Sequence, residues 1–243
     1  MRALALAMVV FVLGCRDSGV SSDPPLAMAD GFFWVDVPPV KHFSHSIEPV
    51  VDIERRLPPK HDYYDADMVT WVHEGTHYIN SNITREKGRQ GLYLMGGRAV
   101  ILKAPRLTLE QVAVAVPEKD RRTIYKTYLI DQRQWWNKEP LYLLNEWVAY
   151  GNGTACRKSL NKTGRDRIDT VRFALEMEIY VKHMADLARK DPSYEDMATL
   201  DDFITWHSNR IRTLAGPDDI ELARGLLDSK TTPVEEKFRL VPK

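Results

Sequence analysis

Trp71-Val72-His73-Glu74-Gly75-Thr76-His77-Tyr78-Ile79-Asn80 is the stretch on which the reading of this chain turns. Residues four apart on an α-helix lie about 40° apart around its axis and one turn along, so the His73 and His77 imidazoles project from one face and can share a metal ion. Glu74 stands about 100° round from His73, where its carboxylate can reach a water beside that ion. Zinc suits the set, because two histidine nitrogens and one further protein ligand fill three tetrahedral positions and leave the fourth for water. The ion acidifies the water and polarises a carbonyl, while the carboxylate takes the proton and delivers it to a leaving amine. The expectation is a Zn2+ site with His73 and His77 as ligands and Glu74 as general base. A surface or core histidine pair without metal is the bland alternative.

The flanking residues support a helix. Asp65 or Asp67 can cap it, and Met68, Val69, Val72, Thr76 and Ile79 form an inward stripe at helical spacing. Gly75 needs a reason, since glycine inside a helix costs about 1 kcal/mol relative to alanine; close packing or substrate approach would supply one.

Through His73-Glu74-Gly75-Thr76-His77 the chain resembles the zincin superfamily of metallopeptidases. The resemblance implies a zinc-dependent hydrolase acting on a peptide or protein, its active-site helix lying in a cleft between a sheet-bearing part and a helical part. It covers the motif and one downstream helix. The extended metzincin pattern requires glycine and histidine where Asn80 and Ile83 stand, so that branch is excluded. Glu146, inside Leu141-Tyr-Leu-Leu-Asn-Glu-Trp-Val-Ala-Tyr150, is the better third ligand: a lone acid on so apolar a helix is costly to bury unless a cation meets it. This looks like the gluzincin branch, whose third ligand is a glutamate on a separate helix. An acid on a solvated helix edge is the alternative, and His183, His207, Glu176, Glu178 and Asp131 are weaker candidates. Tyr150 shares the face of Glu146 and is either a donor to the substrate oxyanion or a core tyrosine. Asn145 is adjacent to Glu146 and could orient a ligand.

Composition fits one catalytic domain. The chain has 243 residues, 44% hydrophobic and 28% charged, enough for a sizeable core. Lys plus Arg and Asp plus Glu both total 34, so no net field draws in nucleic acid. Two cysteines, Cys15 and Cys156, exclude a disulfide scaffold and a cysteine-rich zinc knuckle. Arg2 followed by an apolar run to Leu13 has the form of a signal peptide, and Val12-Leu13-Gly14-Cys15 resembles the bacterial lipobox. Residues 1–14 are thus expected to be a leader, Cys15 a lipidated anchor and residues 15–30 a Ser/Pro-rich tether. The folded part, 31–243, would be exported and membrane-tethered at the cell envelope. With Cys15 lipidated, Cys156 is a buried thiol; otherwise the two could pair.

Along that part the expected elements are a strand at 32–37, a weaker one at 50–53, the metal helix, and a hairpin at 91–104 about Gly96-Gly97. An ambiguous segment follows at 108–116. Helices are then expected at about 117–134, 141–156, 166–190, 200–214 and 218–227. The fold class is α+β, mainly helical with a small antiparallel sheet, the hairpin offering an edge to an extended peptide. Trp135 and Trp136 could flank a substrate cleft but are expected to anchor a loop to the core, and His42 and His45 to be solvated. Against the enzyme stands a binding or assembly lipoprotein on the same scaffold; Glu74 favours the enzyme, because a structural metal site has no use for a general base.

Overall fold

A computed structural model describes residues 34–40, 47–59 and 65–229. The leader, Cys15, the tether and the His42/His45 pair lie outside the described residues. The rest is mainly helical, with one three-stranded antiparallel sheet, as the sequence pattern predicts.

The strands are β1 (Trp34–Asp36), β2 (Gln90–Tyr93) and β3 (Arg98–Leu102), in the order β1-β3-β2. Val100 lies opposite Trp34 on one side and Leu92 on the other. Strand alternation sorts the hairpin's side chains between two cores. Leu92, Leu94, Val100 and Leu102 join the larger core, while Tyr93 and Ala99 join the smaller one.

The smaller core is built by α1 (Glu48–Arg56) and α2 (Met68–Lys87). The strand expected at 50–53 is instead part of α1. Pro49 sits in the helix's first turn, where its missing N–H is harmless. Val50, Ile53 and Leu57 then recur at helical spacing and are all buried. Asp67 caps α2 by accepting from the Thr70 amide at 3.0 Å, and Gly88, at φ 65°, ends it. A β-carbon on Gly75 would lie 2.5 Å from Ile53 Cγ2, so the glycine is what lets α1 lie against α2.

The hairpin turn differs from a tight two-residue one. Met95, Gly96 and Gly97 all have positive φ, and Leu94 N–H bonds Arg98 O at 3.0 Å across the three-residue loop. Buried Asp52 of α1 braces it, accepting from the Gly96 amide at 3.2 Å, from the Tyr93 hydroxyl and from Arg56 at 2.5 Å. Burial, only partly offset by Arg56, pushes the Asp52 carboxyl up.

The larger core gathers α3 (Leu109–Ala115), α5 (Tyr142–Ser159), α6 (Ile168–Ala188), α7 (Met197–Ala215) and α8 (Pro217–Asp228). A Thr108/Gln111 capping box resolves the ambiguous 108–116 segment as a helix. The long helix expected from Pro117 to Gln134 is broken into a 3₁₀ turn (Glu118–Asp120), a π-helical turn (Lys126–Asp131) and α4 (Arg133–Trp136). The cause is competition for backbone donors: Tyr180 takes the Arg122 amide at 3.1 Å and Glu176 takes the Ile124 amide at 2.6 Å. Arg157 and Asp219, paired at 2.5 Å in the interior, clamp the end of α5 to α8. No described helix is long and apolar enough to cross a membrane.

Gly75→Ala should lower stability by about 1–2 kcal/mol, overpacking against Ile53 outweighing the gain in helix propensity. Denaturant melts of G75A, I53A and the double variant test this. Additive effects of the two substitutions would exclude the close approach as the cause.

Candidate metal centre

The centre forms where α2 and α5 run antiparallel. Met68 meets Cys156 near one end of the contact, where the Cys156 thiol points at Met68 O, 3.5 Å away. Asn80 meets Asn145 towards the other, at 2.6 Å. Between them His73, His77 and Glu146 converge, and they are the one such ligand group among the described residues. The two imidazole Nε2 atoms lie 3.1 Å apart, and Glu146 Oε2 is 3.5 Å from each.

Those three distances test the fit of an ion. Zinc bound at about 2.0–2.2 Å by three corners of a tetrahedron requires ligand atoms roughly 3.3–3.6 Å apart. The observed triangle is that size, with one edge slightly short. Glu146 is buried and its Oε2 has no hydrogen-bond partner among the described residues, an orphaned acceptor that a cation at this position would satisfy. Nitrogen donors with one carboxylate suit zinc better than calcium or magnesium, which take oxygen.

Electrostatics point the same way. Burial alone would push the His77 imidazole down, but Glu146, aided by Glu74 and Asn145, overrides it and holds His77 up at about 9. Glu146 is held well below the usual carboxylate range by the two histidines, against its own burial. The cluster therefore stabilises a positive charge, whether proton or cation.

Asn145, a matter of adjacency in the sequence, has a definite role. The Tyr93 backbone N–H, which can only donate, bonds Asn80 Oδ1 at 2.6 Å. Asn80 must then present its amino group to Asn145 Oδ1, leaving that oxygen to accept from His77 Nδ1 at 3.0 Å. In its neutral form His77 thus carries its proton on Nδ1, and its Nε2 lone pair faces the cluster.

Glu74 is half-buried, makes no side-chain hydrogen bond or ion pair among the described residues, and its charge is felt at His77. Tyr150 lies against His73, ring centroids 4.5 Å apart, and its hydroxyl is 2.6 Å from that of Tyr128. Burial, with Glu146 nearby, keeps both hydroxyls protonated. Tyr128, unnoticed in the sequence, comes from the π-helical turn, which no periodicity announces.

The weaker candidates are used elsewhere. Glu176 accepts from Tyr180, and Glu178 from Lys182 and Arg212. His183 faces Asp120 at 3.2 Å, and Asp131 pairs with Lys126. His207 is fully buried against Trp147, its imidazole pushed far down by burial and Arg210. The hairpin edge is closed to a peptide: the outward amides of β2, Gly91 and Tyr93, are taken by Thr84 at 2.9 Å and Asn80 at 2.6 Å, while β1 covers β3. Trp135 and Trp136, expected in the core, are 67% and 43% exposed.

Asn145→Ala should weaken zinc binding about 10–100-fold by freeing the His77 ring, measured by competition with a chromogenic chelator. Glu146→Ala should weaken it further. Parent-like affinity in either variant would remove the role assigned to that residue.

Comparison with protein-family models, curated proteins and solved structures finds no match to this chain, so its function is read from these residues.

Proposed function

We propose that this protein is a zinc-dependent, zincin-type peptidase that hydrolyses a peptide bond in a peptide or protein, with Glu74 as general base. We further propose that it is exported and lipid-anchored through Cys15 at the bacterial cell envelope. The observation that carries the catalytic reading is the ligand triangle beside an acid that no other described group engages. The location rests on the leader and lipobox pattern alone.

His73, His77 and Glu146 would hold a zinc ion, which when bound would supply Lewis-acid polarisation of a carbonyl and a lowered pKa for a water molecule. Glu74, the acid at the cluster not committed to holding charge, takes a proton from that water and returns it to the nitrogen of the leaving amine. Asn145 keeps the His77 ring in its ligating tautomer throughout. When the Tyr128 hydroxyl donates to that of Tyr150, the Tyr150 proton is free to meet a carbonyl oxygen as it gains charge. In that arrangement Tyr150 is the oxyanion donor of the proposed reaction.

The purified protein should hold about one equivalent of zinc, lost in both His73→Ala and His77→Ala. Glu74→Gln should retain the metal yet hydrolyse a degenerate peptide mixture about 10²–10⁴-fold more slowly; unchanged hydrolysis would falsify the assignment. Tyr150→Phe should lower kcat about a hundredfold with little change in KM, and a parent-like kcat would return Tyr150 to a packing role. Fatty-acid labelling in cells should be lost in Cys15→Ser, and its absence from the parent would remove the lipid anchor.

A further inference from the structure

Among the described residues the exposed large apolar side chains are Val40, Val114, Ile130, Trp135 and Trp136, and the two tryptophans are the only aromatic ones. They are 67% and 43% exposed, and Ile130 beside them in sequence is 39% exposed. Exposed tryptophan is unfavourable in water and is concentrated where something binds.

The position of the pair relative to the ligand triangle says what that is. Trp136 stacks on Tyr142, with centroids 5.0 Å apart and planes 9° from parallel. Tyr142 precedes Glu146 by four residues and so shares its face of α5, and its hydroxyl donates to Gln132. The Tyr142 ring is buried between the two, so one tryptophan face is held rigidly a single side chain away from the metal ligand. The same segment, through Tyr128 in the π-helical turn, reaches Tyr150 and hence His73. Residues 126–136 therefore form one flank of the candidate centre, contacting it at two points and presenting an apolar aromatic surface outward. Single π-helical turns are often retained at functional sites, because they shift side chains that a regular helix would place elsewhere.

We propose that Trp135 and Trp136 form a substrate subsite, recognising an aromatic or large aliphatic side chain of the peptide close to the bond cleaved. This inference rests on the peptidase reading and names its substrate class. Stacking on Tyr142 holds the Trp136 ring in place before the substrate arrives, and Trp135, the preceding residue on α4, extends the exposed aromatic surface. With the β2 edge closed by α2, a peptide has lost the main-chain pairing the hairpin could have offered. Side-chain recognition on this flank takes on correspondingly more of the binding.

The test compares two peptides, acetyl-Ala-Ala-Phe-Ala-Ala-amide and its glycine counterpart, on the parent, Trp135→Ala, Trp136→Leu and the double variant. The parent should prefer phenylalanine in kcat/KM, and the preference should fall at least about tenfold in the double variant. An unchanged ratio alongside hydrolysis that depends on Glu74 removes the subsite and leaves the peptidase reading intact. Absence of hydrolysis by the zinc-loaded parent removes the peptidase reading instead. The subsite is then decided by binding, followed as tryptophan fluorescence: phenylalanine-dependent affinity lost in the double variant supports it, and equal affinity for both peptides overturns it. A fluorescence shift on mixed phosphatidylcholine–phosphatidylglycerol vesicles, absent from the double variant, with no discrimination between the peptides, would assign the pair to a membrane surface and also overturn the proposal.

Discussion

A buried carboxylate with one oxygen left without a donor is the constraint around which this protein is arranged. Taking Glu146 out of water costs several kcal/mol unless positive charge meets it. Among the described residues, the two imidazole nitrogens of α2 lie 3.5 Å from its free oxygen. Those nitrogens crowd each other at 3.1 Å unless a proton or cation lies between them. The seam between α2 and α5 thus favours a positive charge at its centre, and any ion bound there would couple to folding. The rest of the architecture keeps that seam in register. Gly75 admits α1 on one flank, and Gly151, where a β-carbon would lie 2.7 Å from His207 Cε1, admits α7 on another.

The centre was legible because its parts have local signatures. His73 and His77 are related by helix geometry alone, and Glu146 is conspicuous as an acid among apolar neighbours. Asn145 was visible only as a neighbour. Its role depends on Asn80 and on the Tyr93 amide, which the antiparallel docking of two distant helices and a strand brings together. Nothing in sequence spacing encodes such a chain of donors.

The misread elements have physical reasons too. Residues 50–53 look like a strand when judged by β-branching, yet Pro49 and the partner surface on α2 select a helix. Residues 117–134 have helical composition, but the Tyr180 and Glu176 side chains capture two of the backbone donors that a continuous helix needs. The two tryptophans were expected inside because aromatic side chains gain most from burial. They emerge because the π-helical turn places Tyr128 and Leu129, not them, against the core.

The pairing of β2 with β3 has a chemical correlate. Tyr93 turns its N–H towards Asn80 only in the observed register; a slip of one residue would aim it at the opposite side of the strand. Asn80 would then lose the donor that fixes its amide, and the proton on His77 would no longer be confined to one nitrogen. A mis-zipped hairpin would in this way report itself at the imidazole, as a loss of the single tautomer that the Tyr93–Asn80–Asn145 chain imposes on His77.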